Sequence, residues 1–402
     1  MTRSQNAAAD IAFSAPAESG GIARVSVTTD LQSCERTWRA FQKNASGHVF
    51  QTFDFVAPWC AHVAKARAIT PHIVIGHADD GQPLFLLPFG VRRQTGSSVV
   101  EWLGGEHADY HGGLFDPEFL KRAAAEPNVF DTLLDALRSV FRGVDLAHFI
   151  RMPMVLDGTT SPFARLSTYP NANHAHATVL GSDWTTYYKQ KRGSGWRRTD
   201  RKKVERMAER GDLAFRIAED EQTVEALLST LFAQKRTGLE RIGVADMFAP
   251  DGVRDFYRAL ALTSLSGDGA VQLSGLWCGD DITAVSFGLV WKDTYYYILH
   301  SYDLEIYAAF SAGAQLMHHL MQWCIANDIT IFDFTIGDEP YKEIWCETQL
   351  ELFNAAVPLT AIGRAAAGTM KIREAAKSTI KGNAALWSAA VEIRKRLLKF
   401  RA

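Results

Sequence analysis

Cysteine is scarce and scattered in this 402-residue chain: Cys34, Cys60, Cys278, Cys324 and Cys346 are odd in number and form no CxxC pair. A disulfide framework is thereby excluded, and no zinc-binding spacing is present. Long apolar runs are lacking too. None approaches the roughly 20 residues of a membrane-spanning helix, and the Ala- and Ser-rich start has no compact apolar core of the kind a secretory signal needs. The expected compartment is the cytoplasm. Net charge is nearly absent: a formal balance of −2 supplies no global field for an acidic membrane or for nucleic acid, which is not expected as a partner. Finally, the glycines of Trp102-Leu103-Gly104-Gly105 and Asp109-Tyr110-His111-Gly112-Gly113 lack the GxGxxG pattern and the following helix of a dinucleotide site.

What is present is the composition of a globular protein, 47% hydrophobic and 22% charged, with enough length for two cores. Residues 1–22 read as a disordered polar tail. A first domain is expected over 23–180. It has a strand at Arg24–Thr28, a helix at Leu31–Asn44 capped by Asp30, and a helix at Phe53–Ala66 interrupted or started by Pro58. A hairpin follows at His72–His77 and Leu84–Arg92, then a helix at Val129–Phe141 and a strand at Val144–Ile150. A second domain is expected over 181–363. It opens on ten Lys and Arg between Lys189 and Arg210, followed by a strand at Leu213–Ile217 and helices at Glu221–Gly238 and Asp251–Leu265. Glu351–Leu359 reads as its edge strand, and 364–402 as a basic amphipathic helical tail.

The densest signal lies between Ala270 and Glu347. Ala270–Trp277 and Ile282–Trp291 flank the turn Cys278-Gly279-Asp280-Asp281, which suits a hairpin. Thr294–Ser301 is aromatic and β-branched. Phe310-Ser311-Ala312-Gly313-Ala314 then leads into an apolar helix that ends near Asn327-Asp328, and Ile329–Phe334 follows as a short apolar run. A helix joining two such strands is a crossover, so its flanking strands are expected to be parallel neighbours. The first domain repeats this order of hairpin, helix and strand, which suggests a degenerate internal repeat.

The segments Tyr302-Asp303, Phe310-Ser311-Ala312-Gly313, Phe332-Asp333-Phe334, Gly337-Asp338-Glu339-Pro340-Tyr341-Lys342 and Trp345 together resemble the CelD-type acetyltransferases. These are a branch of the GNAT superfamily associated with cellulose and exopolysaccharide gene clusters and related to the FemABX aminoacyltransferases. The resemblance covers most of the chain after Ala23, with its specific motifs between Asp303 and Trp345. One departure is visible: the family has Ser-Pro-Gly at the helix entry, and here Ala312 stands in the middle. The resemblance implies an α/β (α+β) fold of two tandem GNAT-like mixed-sheet halves with helices packed around them, sharing a cleft. It implies acetyl-CoA or another acyl-CoA as substrate and a small-molecule or saccharide acceptor.

Candidate chemistry follows from residue types. A helix N-terminus with small residues lets phosphates reach free N–H groups, so Phe310, Ser311, Ala312, Gly313 and Ala314 are the candidate donor-binding segment; the alternative is that Ser311 is only a cap and Gly313 only a packing accommodation. Acyl transfer from a thioester needs a base for the acceptor and an acid for the thiolate. Asp338 and Glu339, just past a strand, are candidate bases; Tyr341 is a candidate donor to the thiolate, Lys342 a candidate anion partner, and Asp303 a further carboxylate at the end of its strand. The alternative is a salt-bridged turn anchored by Tyr341. His300 taken alone reads as a core histidine. His318-His319 point about 100° apart on a helix and cannot share an ion, so no metal is expected. The basic run 189–210 reads as a solvated helix face, a guide for an anionic acceptor or for the donor's phosphates, or a transfer-RNA contact. In the tail, Arg394-Lys395-Arg396 beside Leu397 and Leu398 suits either an anionic membrane near a polysaccharide-synthesis complex or docking on the second domain. The expected function is acyl transfer to an amine or hydroxyl; the alternatives are an aminoacyl-tRNA-dependent transferase and a non-catalytic scaffold of a polysaccharide-synthesis complex.

Overall fold

A computed structural model describes residues 9–11, 21–94, 96–267 and 269–381. The chain forms two compact units, one of residues up to His174 together with Leu350–Ser378, the other containing Ala175–Gln349.

The second unit is built on a seven-stranded sheet. Its strands are β1 (Ala175–Val179), β2 (Leu213–Ile217), β3 (Val271–Cys278), β4 (Asp281–Trp291), β5 (Thr294–Tyr302), β6 (Ile331–Ile336) and β7 (Thr348–Leu350), in the order β2-β3-β4-β5-β6-β1-β7. Strands β2 to β5 form the antiparallel meander that the turn residues specify, with Gly279 at φ +58 between Cys278 and Asp281. Helices α1 (Trp184–Lys191) and α2 (Ser194–Ala208) precede β2, and α3 (Glu221–Arg241) and α4 (Val253–Leu265) precede β3. The crossover helix α5 (Ala312–Ala326) buries Leu316, Met317, Leu320, Met321 and Cys324, and the short α6 (Pro340–Trp345) follows β6.

As expected of a crossover, β5 and β6 are parallel, but they pair only at their starts. The register runs Thr294–Ile331, Tyr295–Phe332, Tyr296–Asp333 and ends there. The cause lies partly in β6. Asp333 is buried and its Oδ1 accepts the amide of Thr335 at 2.7 Å, while Thr335 turns to φ +55 opposite a register shift in β1. Such a bulge bends its strand, so the chain past Asp333 leaves the line of β5.

The first unit repeats the scheme. Arg24–Thr28, Ile69–His77, Pro83–Gln94 and Ser97–Trp102 form an antiparallel meander. Helices Pro117–Ala125 and Pro127–Val140 intervene, and Leu146–Pro153 returns parallel to Ser97–Trp102. Asp30 caps helix Leu31–Gln42, accepting the Gln32 amide at 3.0 Å. The helix at Phe53 is α-helical to Trp59 and then π-helical over Cys60–Ala64.

Two strands fall in other units than the sequence suggests. Leu352–Pro358 pairs with Leu146–Pro153 in the first sheet, whereas it was expected at the edge of the second domain. Ala175–Val179 joins the second sheet, beside β6. Strand propensity marks such segments but not their partners; Asn354, which accepts the Arg151 amide at 2.9 Å and the Asn171 side-chain amide at 2.9 Å, helps fix the first pairing. Residues 1–8, 12–20 and the tail from 382 onward, including the basic and apolar residues proposed for membrane contact, lie outside the described residues. Among those described, no helix is long and apolar enough to cross a membrane.

Candidate active site

The entry of α5 is the first component. Ser311, the cap, sits in the left-handed region at φ +56, and its carbonyl accepts the amides of Ala314 and Gln315. The amides before them have no partner within the helix and carry its positive dipole end. Small side chains at Ala312, Gly313 and Ala314 leave those groups open. Gly313 has a second reason to be glycine: a Cβ there would come within 2.8 Å of the Tyr302 ring. The basic helix α2 supplies a cation at this point, because Lys203 Nζ donates to the Ser311 hydroxyl at 2.8 Å.

The second component is a cavity beside β5, at the entry of α5 and against α6. It has a volume of about 530 Å³ and is lined by Tyr297, His300 and Tyr302 of β5, by Ser311–Ala314, Met317 and His318 at the start of α5, and by Tyr341, Ile344 and Trp345 of α6. Arg192, Trp196, Asp200 and Lys203, in and beside α2, complete the wall. Two polar atoms in this lining are buried with no hydrogen-bond partner among the described residues: Tyr341 Oη and His300 Nδ1. The rings of these residues meet edge to face with centroids 6.2 Å apart, and His300 stacks on Tyr297 at 4.6 Å. Burial pushes the Tyr341 hydroxyl far up, so it stays protonated. Burial, with the charges of Lys235 and Lys342, holds His300 well below the usual imidazole range, so it stays neutral. A neutral phenol has a proton to donate and a neutral imidazole a lone pair to accept one, while the same burial makes the phenol a weaker acid and the imidazole a weaker base than in water.

The other sequence candidates lie around this cavity rather than in it. Phe310 is buried in the core with the guanidinium groups of Arg206 and Arg210 at 5.6 and 5.1 Å from its ring centroid. Asp338 pairs with His176 Nε2 at 3.3 Å. Glu339 pairs with Lys342 Nζ at 2.9 Å, and Lys342, itself buried, also donates to the carbonyls of Ile336 and Thr335 at 3.1 and 3.3 Å. Asp303 closes its own turn by accepting the amides of Glu305 and Tyr307 at 2.9 and 2.8 Å. Cys346 has its thiol pushed up to about 12, chiefly by burial, which leaves it protonated. Thus Ser311–Ala314 and Tyr341 share the cavity, while Asp338, Glu339, Lys342 and Asp303 tie down its borders.

His300, which taken alone reads as a core histidine, lines the site, as do Lys203 and the Arg192–Asp200 stretch of the basic run, for which a guide for phosphates was one of three sequence readings. The available signal was Trp196, a large apolar residue inside a charge run. His318 turns toward Trp184, Tyr188 and Trp345, whereas His319 stacks on Phe215. Among the described residues no group of three His, Cys, Asp or Glu side chains is placed to hold a metal.

Residues 194–343, which hold most of the antiparallel meander, the crossover helix and the strand parallel to β5, match the acetyltransferase (GNAT) domain family. The chain carries a GNAT acetyltransferase domain and is a GNAT-type acyl-transferring enzyme. Among solved structures, FemX superposes with a TM-score of 0.57 at 11% identity, over 80% of this chain and 96% of FemX. A conserved protein of unknown function from Bacteroides thetaiotaomicron gives 0.54 at 12% identity, over 82% and 99%. A tandem GNAT protein from the clavulanic acid biosynthesis pathway gives 0.44 at 7%, over 83% and 98%. These likenesses concern the fold. No curated protein matches the sequence.

Proposed function

We propose that the protein transfers an acetyl or longer acyl group from acyl-CoA to an amine or hydroxyl, with a sugar or amino sugar of polysaccharide or cell-envelope metabolism as the acceptor class its family resemblance favours. The observation that carries this reading is the cavity beside β5, where the open helix end and two unpartnered polar groups share one lining. The donor's pyrophosphate lies at the amides of Ala312 and Gly313, with Lys203 supplying a cation. The thioester lies in this cavity. His300 takes the proton of the acceptor as its nitrogen or oxygen attacks the thioester carbonyl. The tetrahedral intermediate collapses, the C–S bond breaks, and Tyr341 protonates the departing thiolate. Positioning and proton transfer suffice, with no covalent acyl-enzyme, because Cys346 is held as a thiol and Lys342 is engaged with backbone carbonyls.

Calorimetric titration with acetyl-CoA and a longer acyl-CoA, followed by thiol release in the presence of sugars and amino sugars, tests this. Binding with acceptor-dependent release supports the reading; no binding of either thioester overturns it. One observation favours a second reading, an aminoacyl-tRNA-dependent transfer: the basic α2 helix faces the cavity through Lys203 rather than solvent alone. That reading requires aminoacyl-tRNA to be consumed while acyl-CoA does not bind.

A further inference from the structure

The mouth of the active-site cavity is rimmed by exposed apolar side chains. Trp196 of α2, Tyr302 of β5 and Ile344 of α6 all line the cavity and are all exposed, Trp196 by 62%, so they stand at its opening. Ile306, 57% exposed, follows Tyr302 in a turn that is held in place from two sides. Asp303 accepts the amides of Glu305 and Tyr307, and Arg241 of α3 donates to the Leu304 carbonyl at 3.2 Å. Exposed apolar residues scattered singly need no explanation, but several drawn from separate elements to one opening mark an interaction site.

Positive charge flanks this rim. Helix α2 carries six Lys and Arg against two carboxylates, Asp200 and Glu205. Asp200 is already engaged, accepting the Tyr188 hydroxyl at 2.5 Å and lying 3.5 Å from Arg192. Arg198 and Lys202, one helical turn apart, are exposed and line no part of the cavity. Of the acidic residues nearby, Glu305 lies 3.5 Å from Arg241, and Glu343 precedes Ile344. The chain as a whole has a formal charge of −2, so this is a local field. Aliphatic side chains and an indole beside cations match the boundary of an anionic bilayer. Apolar groups enter the headgroup layer, the indole stays at the interface, and Lys and Arg reach the lipid phosphates. RNA also offers phosphates, but its bases stack on rings and give Ile306 and Ile344 nothing to bind.

We propose that this face of the second unit docks on an anionic lipid bilayer, with Trp196, Ile306 and Ile344 in the headgroup layer and Arg198 and Lys202 on lipid phosphates. The active-site cavity then opens toward the membrane. Docking needs no donor, so the proposal goes beyond the acyl-transfer reading and does not depend on it.

The test is co-sedimentation of the full chain with vesicles of phosphatidylcholine alone, or of phosphatidylcholine and phosphatidylglycerol in equal parts. Binding to the mixed vesicles only, weakened by added salt, is expected. Arg198→Gln combined with Lys202→Gln should raise the lipid concentration for half-binding about tenfold or more, as the loss of two surface cations predicts. Trp196→Ala and Ile344→Ser should each weaken binding several-fold; both positions are exposed, so the melting temperature should hold. Replacing Arg394, Lys395 and Arg396 of the tail together by Gln controls for the other basic segment and should leave most of the binding. No binding to the mixed vesicles overturns the proposal, and so does binding that the tail variant abolishes while Trp196→Ala and Ile344→Ser leave it untouched. Retention of transfer RNA in place of vesicles, lost in the Arg198 and Lys202 variant, assigns the face to nucleic acid and also overturns it. Vesicle binding without acyl-CoA binding keeps the docking face and removes the acyl-transfer reading instead.

Discussion

The ammonium of Lys203 lies 2.8 Å from the hydroxyl of Ser311, which caps the crossover helix in a left-handed conformation that a non-glycine residue adopts at a cost. The contact places a cation of the basic helix where a diphosphate would meet open amides. Lys203→Ala is expected to raise the Kd for acyl-CoA about tenfold, the scale of one charge-assisted hydrogen bond, with a smaller effect on kcat, and Lys203→Arg to recover part of the loss. Calorimetry and steady-state kinetics check this. A fall in kcat at unchanged affinity would show that Lys203 does not touch the donor.

Tyr341 gives a cleaner separation of function from stability. Its hydroxyl is buried and unpartnered, so Tyr341→Phe removes a polar group that the fold does not use, and the melting temperature should hold or rise. Loss of a general acid lowers kcat by about 10²-fold or more, with KM for the donor nearly unchanged. A kcat near that of the parent would remove Tyr341 from proton transfer.

His300 predicts the shape of the pH profile. An ordinary imidazole base would impose an acid limb near its usual value of about 6.5. Because His300 is held well below that, kcat/KM should stay level as pH falls through 6.5 and decline only in more acidic solution. A limb at 6.5 in the parent, absent in His300→Gln, would show that solvent reaches the ring freely.

The sequence disclosed the meander, the crossover helix and the small-residue helix entry because each is written locally, in turn residues, β-branched runs and one amphipathic stretch. The destination of Leu352–Pro358 was not local: its partner strand begins at Leu146, and Asn354 helps fix the pairing through Arg151 and Asn171. The same holds at the site. A run of Lys and Arg on a helix leaves a solvated face, a phosphate guide and a transfer-RNA contact open, and only the folded chain brings Lys203 to Ser311. Nor does the spacing of Asp338 and Glu339 reveal that His176 and Lys342 already engage them.

Those pairs can be ranked by exposure. Asp338 and Glu339 side chains are 39% and 53% exposed, and ion pairs of that kind contribute about 1 kcal/mol at most. Asp338→Asn and Glu339→Gln should therefore leave kcat within about threefold. Lys342 is different. At 3% exposure it bridges the end of β6 to the helix bearing Tyr341, so Lys342→Met strands two carbonyls at a cost of about 1–3 kcal/mol. Expected are a lower melting temperature and a kcat loss larger than any change in KM, as befits a positioning residue. A large kcat loss in Asp338→Asn with normal stability would instead restore that carboxylate as the base.

Acid stability should report buried imidazoles in both units. Burial is the main cause holding His318 down at about 4, and it holds His111 of the first unit at about 3. In the unfolded chain both titrate near 6.5, so between pH 6.5 and 4 the unfolded state binds protons that the folded state refuses, and stability falls as pH falls. Above pH 6.5 both groups are neutral in either state and the contribution is complete. Keeping one such group neutral at pH 4 costs about 3 kcal/mol relative to the unfolded chain. Melting temperature measured from pH 8 to pH 4 should be level above about pH 7 and drop steeply below 6. His318→Gln should flatten part of that drop, whereas a profile unchanged by the substitution would mean that His318 takes up its proton in the folded state.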